Sequence, residues 1–327
     1  GGHWKRARTI VEPRAAANPN DALTAYLLSQ VKLAFGDVDG ALKLVEKAVE
    51  LDGGKAAYHY QLGVVSGEMA ERASLFSKAG WARRFKSEAE KAAELDAHDL
   101  DSRFGLLEFD LQAPRLMGGG KDKARAMADE IAKIDPVRGD LAEARLALDA
   151  KDASRQEQAY LKAVAGGPRD YEVFQALADF YGADSEKRYD LAERYARQAI
   201  HLEPGRVYAY SSLAVALAGA ERWTDLDQAL AEAEKNVPDD FTPYYQAGRT
   251  LLLGGKNLPL AEGYFRKYLS QQPEGEAPTL AHAHWRLGLV LEKEGRKTEA
   301  VSEVETALRL KPDLEEAKKD LKRLKVV

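Results

Sequence analysis

The chain has no cysteine among its 327 residues. That excludes disulfides, thiolate catalysis and Cys-based zinc sites. It leaves the redox compartment open, since a cysteine-free chain is stable in either environment. No apolar run approaches the roughly 20 residues that cross a bilayer as a helix. A basic excess is missing as well: 48 Lys and Arg stand against 53 Asp and Glu, a net charge of -5. Without surplus cations to neutralise phosphates, nucleic acid is not the expected partner. The chain lacks a start Met and opens Gly1-Gly2-His3-Trp4. That opening is expected of a truncated or processed chain, with Gly1 as a tag remnant, and both a cytoplasmic and a periplasmic or exported location stay open.

Catalytic signatures are scarce too. Neither Gly-x-Ser-x-Gly nor His-Glu-x-x-His occurs. Gly118 to Lys121 invites a phosphate-loop reading, but Arg115 stands where that motif needs Gly, and Asp122 where it needs Ser or Thr. His282 and His284 are two apart, which on a helix sends them to different faces, unlike the i, i+4 pair of a zinc site. Asp225 and Asp227, or Asp239 and Asp240, need burial or a shaped cleft before they do acid–base work. The expectation is a protein that is not an enzyme, with no cofactor and no metal.

What the chain does have is a period. Its last unit runs from Ala281 to Asp313, with Leu287-Gly288 in a first helix, Gly295 ending it, Ala300 and Ala307 in a second helix, and Pro312 closing the unit. The steps Gly288–Ala300–Ala307–Pro312 are 12, 7 and 5 residues. They recur with Leu213-Ala214, Leu226, Ala233 and Pro238 and with Leu28-Ser29, Ala41, Ala48 and Gly53; Ala247-Gly248, Ala261, Tyr268 and Pro273 keep them with one extra residue in the first step. Tyr171 to Pro204 keeps the pattern with two extra residues between its helices. Units 56–97 and 98–136 carry insertions, and 138–168 is the most degenerate, with Ala163 and Pro168 retained. Small residues at Ala41, Ala48, Ala192, Ala199, Ala300 and Ala307 let paired helices approach, and apolar residues at i, i+3, i+4 and i+7 fill the remaining core faces. Proline after a second helix stops it by withholding the hydrogen bond a continuing helix needs.

With these residues the chain resembles the tetratricopeptide repeat family, whose pattern is an aromatic, Leu-Gly, Ala, an aromatic, Ala and Pro over a 34-residue period. The resemblance implies an all-α fold: a right-handed α-α superhelical solenoid of about eight helix pairs over residues 22–312. A lone N-terminal helix lies in 3–21, with Pro13 expected to kink or shift it, and a C-terminal capping helix covers 314–326. The repeat style leans bacterial.

The resemblance also implies a function, since such arrays line a concave groove with fixed positions of each first helix. Carried over, these are Tyr26, Gln30, Tyr60, Arg145, Gln175, Asp179, Tyr208, Ser211, Tyr245, Arg249, His282 and Trp285. Aromatic residues and Arg dominate binding hot spots, so the expected partner is a protein or peptide held in that groove. The Lys and Asn pairs of the family's carboxylate-gripping members are not matched. Two insertions, 67–85 and 111–122, fall at turns between first and second helices, which share one edge of a solenoid. They bring Phe76, Trp81, Leu116 and Met117 to that edge, so a self-assembling protein, a homo-oligomer joined through the insertions, is the alternative.

Overall fold

A computed structural model describes residues 3–167 and 169–325, apart from the side chain of Leu75. Gly1 and the closing Pro168 of the sequence-read unit 138–168 therefore lie outside the described residues, as does residue 326 at the end of the cap. Eighteen α-helices account for the fold, with no strand among the described residues. The class is all-α as expected, with successive helices packed in pairs and a terminal helix after them; one further helix precedes the pairs. The chain divides into two compact units, Trp4–Arg169, and residues 170–327 together with 1–3.

In the N-terminal unit, α1 (Trp4–Ala17) carries Pro13 in its interior and packs on the pair α2 (Ala22–Ala34) and α3 (Val38–Leu51). Then come α4 (Ala56–Arg72) with α5 (Leu75–Leu95), α6 (Leu100–Gln112) with α7 (Lys121–Ile134), and α8 (Pro136–Asp149) with α9 (Ala153–Gly166). Aspartates start many of these helices. The side chains of Asp21, Asp37, Asp99, Asp135 and Asp152 each accept a backbone N–H of the first turn, satisfying donors that have no partner inside the helix.

The insertion at 67–85 is not a loop. It lengthens both helices of its pair, to 17 and 21 residues, against 13 and 14 for the pair before it. The insertion at 111–122 is a loop, containing a short 3-10 turn at Arg115–Met117. The two are neighbours: Lys78, Ala82 and Phe85 of the first share a hollow with Ala113, Pro114 and Met117 of the second, and Lys86, one residue past the first, donates from Nζ to the Gly118 carbonyl at 3.1 Å. Pro136 corrects the sequence reading. It does not close the unit before it but opens α8 at its first turn, where a missing N–H costs nothing. Asp135 alone joins α7 to α8, ending one helix and capping the next.

In the C-terminal unit, α10 (Tyr171–Gly182) pairs with α11 (Tyr189–Leu202), α12 (Val207–Gly219) with α13 (Trp223–Asn236), α14 (Thr242–Gly254) with α15 (Leu258–Leu269), and α16 (Leu280–Lys293) with α17 (Lys297–Leu310). The last helix, α18 (Glu315–Lys325), covers α17 with Ala317 and Leu324 and turns its charged residues outward except Asp320. Pro204, Pro238, Pro273 and Pro312 each follow the end of a second helix. The small residues singled out by spacing sit at the closest approaches: Ala41, Ala48, Ala192, Ala199, Ala300 and Ala307 are all 0% exposed. Gly288 is tighter still, since a Cβ there would meet Val304 Cγ2 at 2.6 Å. First helices also pack side by side, α10 on α12 and α12 on α14, which sets their outward faces in a row.

Candidate functional site

The row formed by α10, α12 and α14 borders a cleft of 530 Å³ in the C-terminal unit. Five of the twelve groove residues expected from the sequence line it: Gln175 and Asp179 from α10, Tyr208 and Ser211 from α12, and Arg249 from α14. They meet because equivalent positions of successive first helices come into register when those helices pack in parallel.

The polar groups at the cleft are tied into one network. Gln175 Nε2 donates to Ser212 Oγ at 2.8 Å and to Asp179 Oδ2 at 3.0 Å. Ser212 Oγ donates to Asp179 Oδ1 at 2.5 Å. Behind them, the Tyr171 hydroxyl reaches Gln175 Oε1 at 3.5 Å and accepts the Ala209 N–H at 3.3 Å. The Arg206 guanidinium stacks 3.8 Å from the centre of the Tyr171 ring and pairs with Glu172. Asp179 itself is open to solvent along the cleft but walled by protein on its other sides. That partial desolvation raises its carboxyl above the ordinary value, against the lowering effect of its bonds to Ser212 and Gln175. Burial likewise pushes the hydroxyls of Tyr171 and Tyr208 up to about 12, Tyr208 being helped by the nearby carboxylates of Glu276 and Asp240.

Sequence reasoning did not find the rest of the lining. Ser212, Gln246, Thr250 and Leu253 stand beside the carried-over positions on the same helices. Glu276 and Pro278 come from the loop 270–279, and Glu276 accepts from the Tyr208 hydroxyl at 3.4 Å. The extra residues between Pro273 and Leu280 were the available signal for that loop.

The remaining groove positions lie elsewhere. Tyr245 and Trp285 are buried, at 5% and 8% exposure. Tyr245 packs edge-on against Phe265, and the Trp285 indole donates to Asp320 of α18 at 2.8 Å. His282 is held by Thr279 at the start of α16. In the N-terminal unit, Tyr26 packs 4.9 Å from Tyr58 and takes a hydrogen bond from Gln30 at 3.0 Å. Tyr60 is half-buried, its hydroxyl pushed by desolvation to about 12. Arg145 grips both carboxylate oxygens of Glu108. Two histidines show partners the sequence did not suggest: His59 Nδ1 lies 2.6 Å from Glu88, and His284 Nδ1 lies 2.6 Å from Glu303.

The insertion edge of the N-terminal unit holds a second hollow, of 510 Å³, lined by Ala82 and Phe85 of α5, Phe109 of α6, and Pro114 and Met117 of the inserted loop. Phe76 and Leu116 project from the two insertions at 99% and 98% exposure. Trp81 is half-buried, with the Arg84 guanidinium 5.7 Å from its ring centre. Among the described residues no helix is long and apolar enough to cross a membrane.

Comparison with known proteins agrees with the repeat geometry. The tetratricopeptide repeat model matches residues 281–314, the α16–α17 pair. No curated protein matches the chain in sequence. Among solved structures, yeast Tom70 is similar over 90% of this chain, at 17% identity and a TM-score of 0.60. The chain spans 59% of the length of that Tom70 chain. A human IFIT1 dimer with m7Gppp-AAAA is similar over 96% of this chain and 84% of its own, at 16% identity and a TM-score of 0.52. TTC0263, a thermophilic TPR protein of Thermus thermophilus, matches over 58% of this chain and 100% of its own, at 16% identity and a TM-score of 0.44.

Proposed function

We propose that this chain, an array of tetratricopeptide-type helix pairs, is a binding scaffold that holds a protein or peptide segment in the cleft of its C-terminal unit. The observation that carries the reading is the convergence of Gln175, Asp179, Tyr208, Ser211 and Arg249 on one cleft. Three of its polar groups, Gln175, Ser212 and Asp179, are held in place by one another. Groups fixed before binding lose little freedom on binding. A lining of hydroxyls, amides, carboxylates and one guanidinium suits the backbone and side chains of an extended peptide. The IFIT1 structure holds a capped RNA. In this chain the cleft presents Asp179, Asp184 and Glu276 against Arg249, a balance that repels a phosphate backbone and favours a protein partner.

A photo-crosslinking residue in place of Leu253, which is 50% exposed at the cleft wall, tests the reading in extract of the source organism. The expected result is a discrete crosslinked partner that disappears when Tyr208→Ala and Arg249→Ala are combined. A partner whose crosslink survives that double change would place the working surface elsewhere.

Self-association is a second reading, favoured by one observation: Phe76 and Leu116 stand almost wholly exposed beside the apolar hollow of the insertions. Two copies would bury both side chains against each other's hollow. Sedimentation of the protein and of Phe76→Ser with Leu116→Ser decides it. A monomer at every concentration removes this reading.

A further inference from the structure

The charges along the C-terminal groove are sorted by position. Asp179 stands on α10 and Asp184 just past its end. Arg249 stands on α14, and Arg286 and Lys293 follow on α16 in an adjoining hollow that shares Leu253 with the cleft. Between the two ends, Ser211, Ser212, Gln246 and Thr250 are uncharged. Glu276 overhangs this middle stretch from its loop, tied to Tyr208.

Neither end is neutralised from within. Asp179 accepts from neutral donors, Gln175 and Ser212. Among the described residues Arg249 and Arg286 form no ion pair, whereas Arg197, Arg206, Arg222, Arg266 and Arg296 of the same unit each hold a carboxylate. The carboxylates of the adjoining hollow are already committed: Arg323 pairs with both Glu292 and Asp320. The Arg286 guanidinium lies 4.2 Å from the centre of the Trp285 ring, and its buried Nε has no hydrogen-bond partner among the described residues. An arginine kept in a half-buried position without an anion loses hydration that a carboxylate restores. Burial pushes the Tyr245 hydroxyl up, and the positive charges of Arg286 and Arg249 act against that rise.

We infer that the groove takes an extended peptide segment carrying a basic side chain at its α10 end and an acidic side chain at its α14–α16 end. The inference rests on the cleft being the binding surface. The geometry also sets a spacing. Helices packed side by side lie 8–10 Å apart, so two steps from α10 to α14 span about 16–20 Å. An extended chain advances roughly 3.3 Å per residue, which puts the two charged side chains about five or six residues apart.

The probes are nine-residue peptides blocked at both ends, with Lys and Glu five residues apart in a Gln and Ala background, and with Lys/Lys, Glu/Glu and Gln/Gln at the same positions. Affinities are read by titration calorimetry at low salt on the full chain. Two partly shielded ion pairs predict that the Lys/Glu peptide binds about tenfold tighter than the Gln/Gln peptide. Arg249→Glu, at a half-buried position outside the core, reverses the preference toward Lys/Lys, with its melting curve as the check on folding. Equal binding of all four peptides overturns the charge assignment and leaves the groove reading standing. Binding of none, with the fold intact, overturns both.

Discussion

At the residue scale, the cleft network illustrates how a buried polar group takes its energy from its partners. Gln175 is 9% exposed and joins α10 to Ser212 of α12. Replacing it with Leu removes the donor to Asp179 and Ser212 and is expected to cost about 1–3 kcal/mol, read from urea unfolding. Asp179 behaves in the opposite sense. Its carboxyl is raised from 3.8 by desolvation, so the stability linked to its neutral form is complete below that value and is lost as pH rises through the raised one. Asp179→Asn is therefore expected to melt higher than the wild type at pH 7, with the advantage shrinking as pH falls through the raised value and levelling off below 3.8. A melting difference that does not depend on pH would refute the linkage. The tyrosines give the alkaline counterpart. Tyr60, Tyr171 and Tyr208 titrate near 12, against the ordinary 10. Their contribution is intact below pH 10 and lost as pH rises through 12, so absorbance titration at 295 nm should show a late phase that merges with unfolding. None of these values was legible in the sequence, because each depends on how many neighbouring atoms exclude water.

At the element scale, the hairpin turns carry the period. Gly36 and Gly295 adopt φ of 79° and 80° at the ends of α2 and α16, and the following N–H closes back onto the helix from Asp37 to Lys32 and from Arg296 to Leu291. At the equivalent turn after α8, Lys151 takes φ of 57° with the same closure, from Asp152 to Ala147. A left-handed residue with a Cβ is strained by about 1–2 kcal/mol, partly offset by the unfolded-state freedom of glycine. Lys151→Gly is thus expected to stabilise the chain by about 0.5–1 kcal/mol in chemical denaturation. Gly288 is the opposite case, where space rather than φ demands glycine. A valine there would drive into Val304 and the Ala300 carbonyl, and destabilisation of about 1–3 kcal/mol or more is expected in the same assay. The Gly and Ala positions were readable because a repeat prints the same packing constraint many times. Pro136 misled for the same reason: it occupies the phase of a closing proline, yet Asp135 before it caps a new helix, and sequence phase alone does not separate the two.

At the scale of the whole molecule, neighbouring pairs make most of the contacts, and the chain forms two compact units. Stability in such an array is a sum over pairs and their interfaces. Calorimetric unfolding is expected to give a calorimetric enthalpy larger than the van't Hoff value, and a single cooperative transition with equal enthalpies would contradict this. The all-helical class, the paired helices and the tight small-residue positions followed from the sequence by itself, because they are local, periodic demands of helix packing. The tertiary structure decided which carried-over positions face a shared cleft and which are sealed. Tyr245 and Trp285 were drawn inward by Phe265 and by the Asp320 carboxylate of the last helix, and Glu276 was brought over Tyr208 by a loop with no period. Those outcomes turn on contacts between residues far apart in the chain, and a pattern that repeats every helix pair carries no information about them.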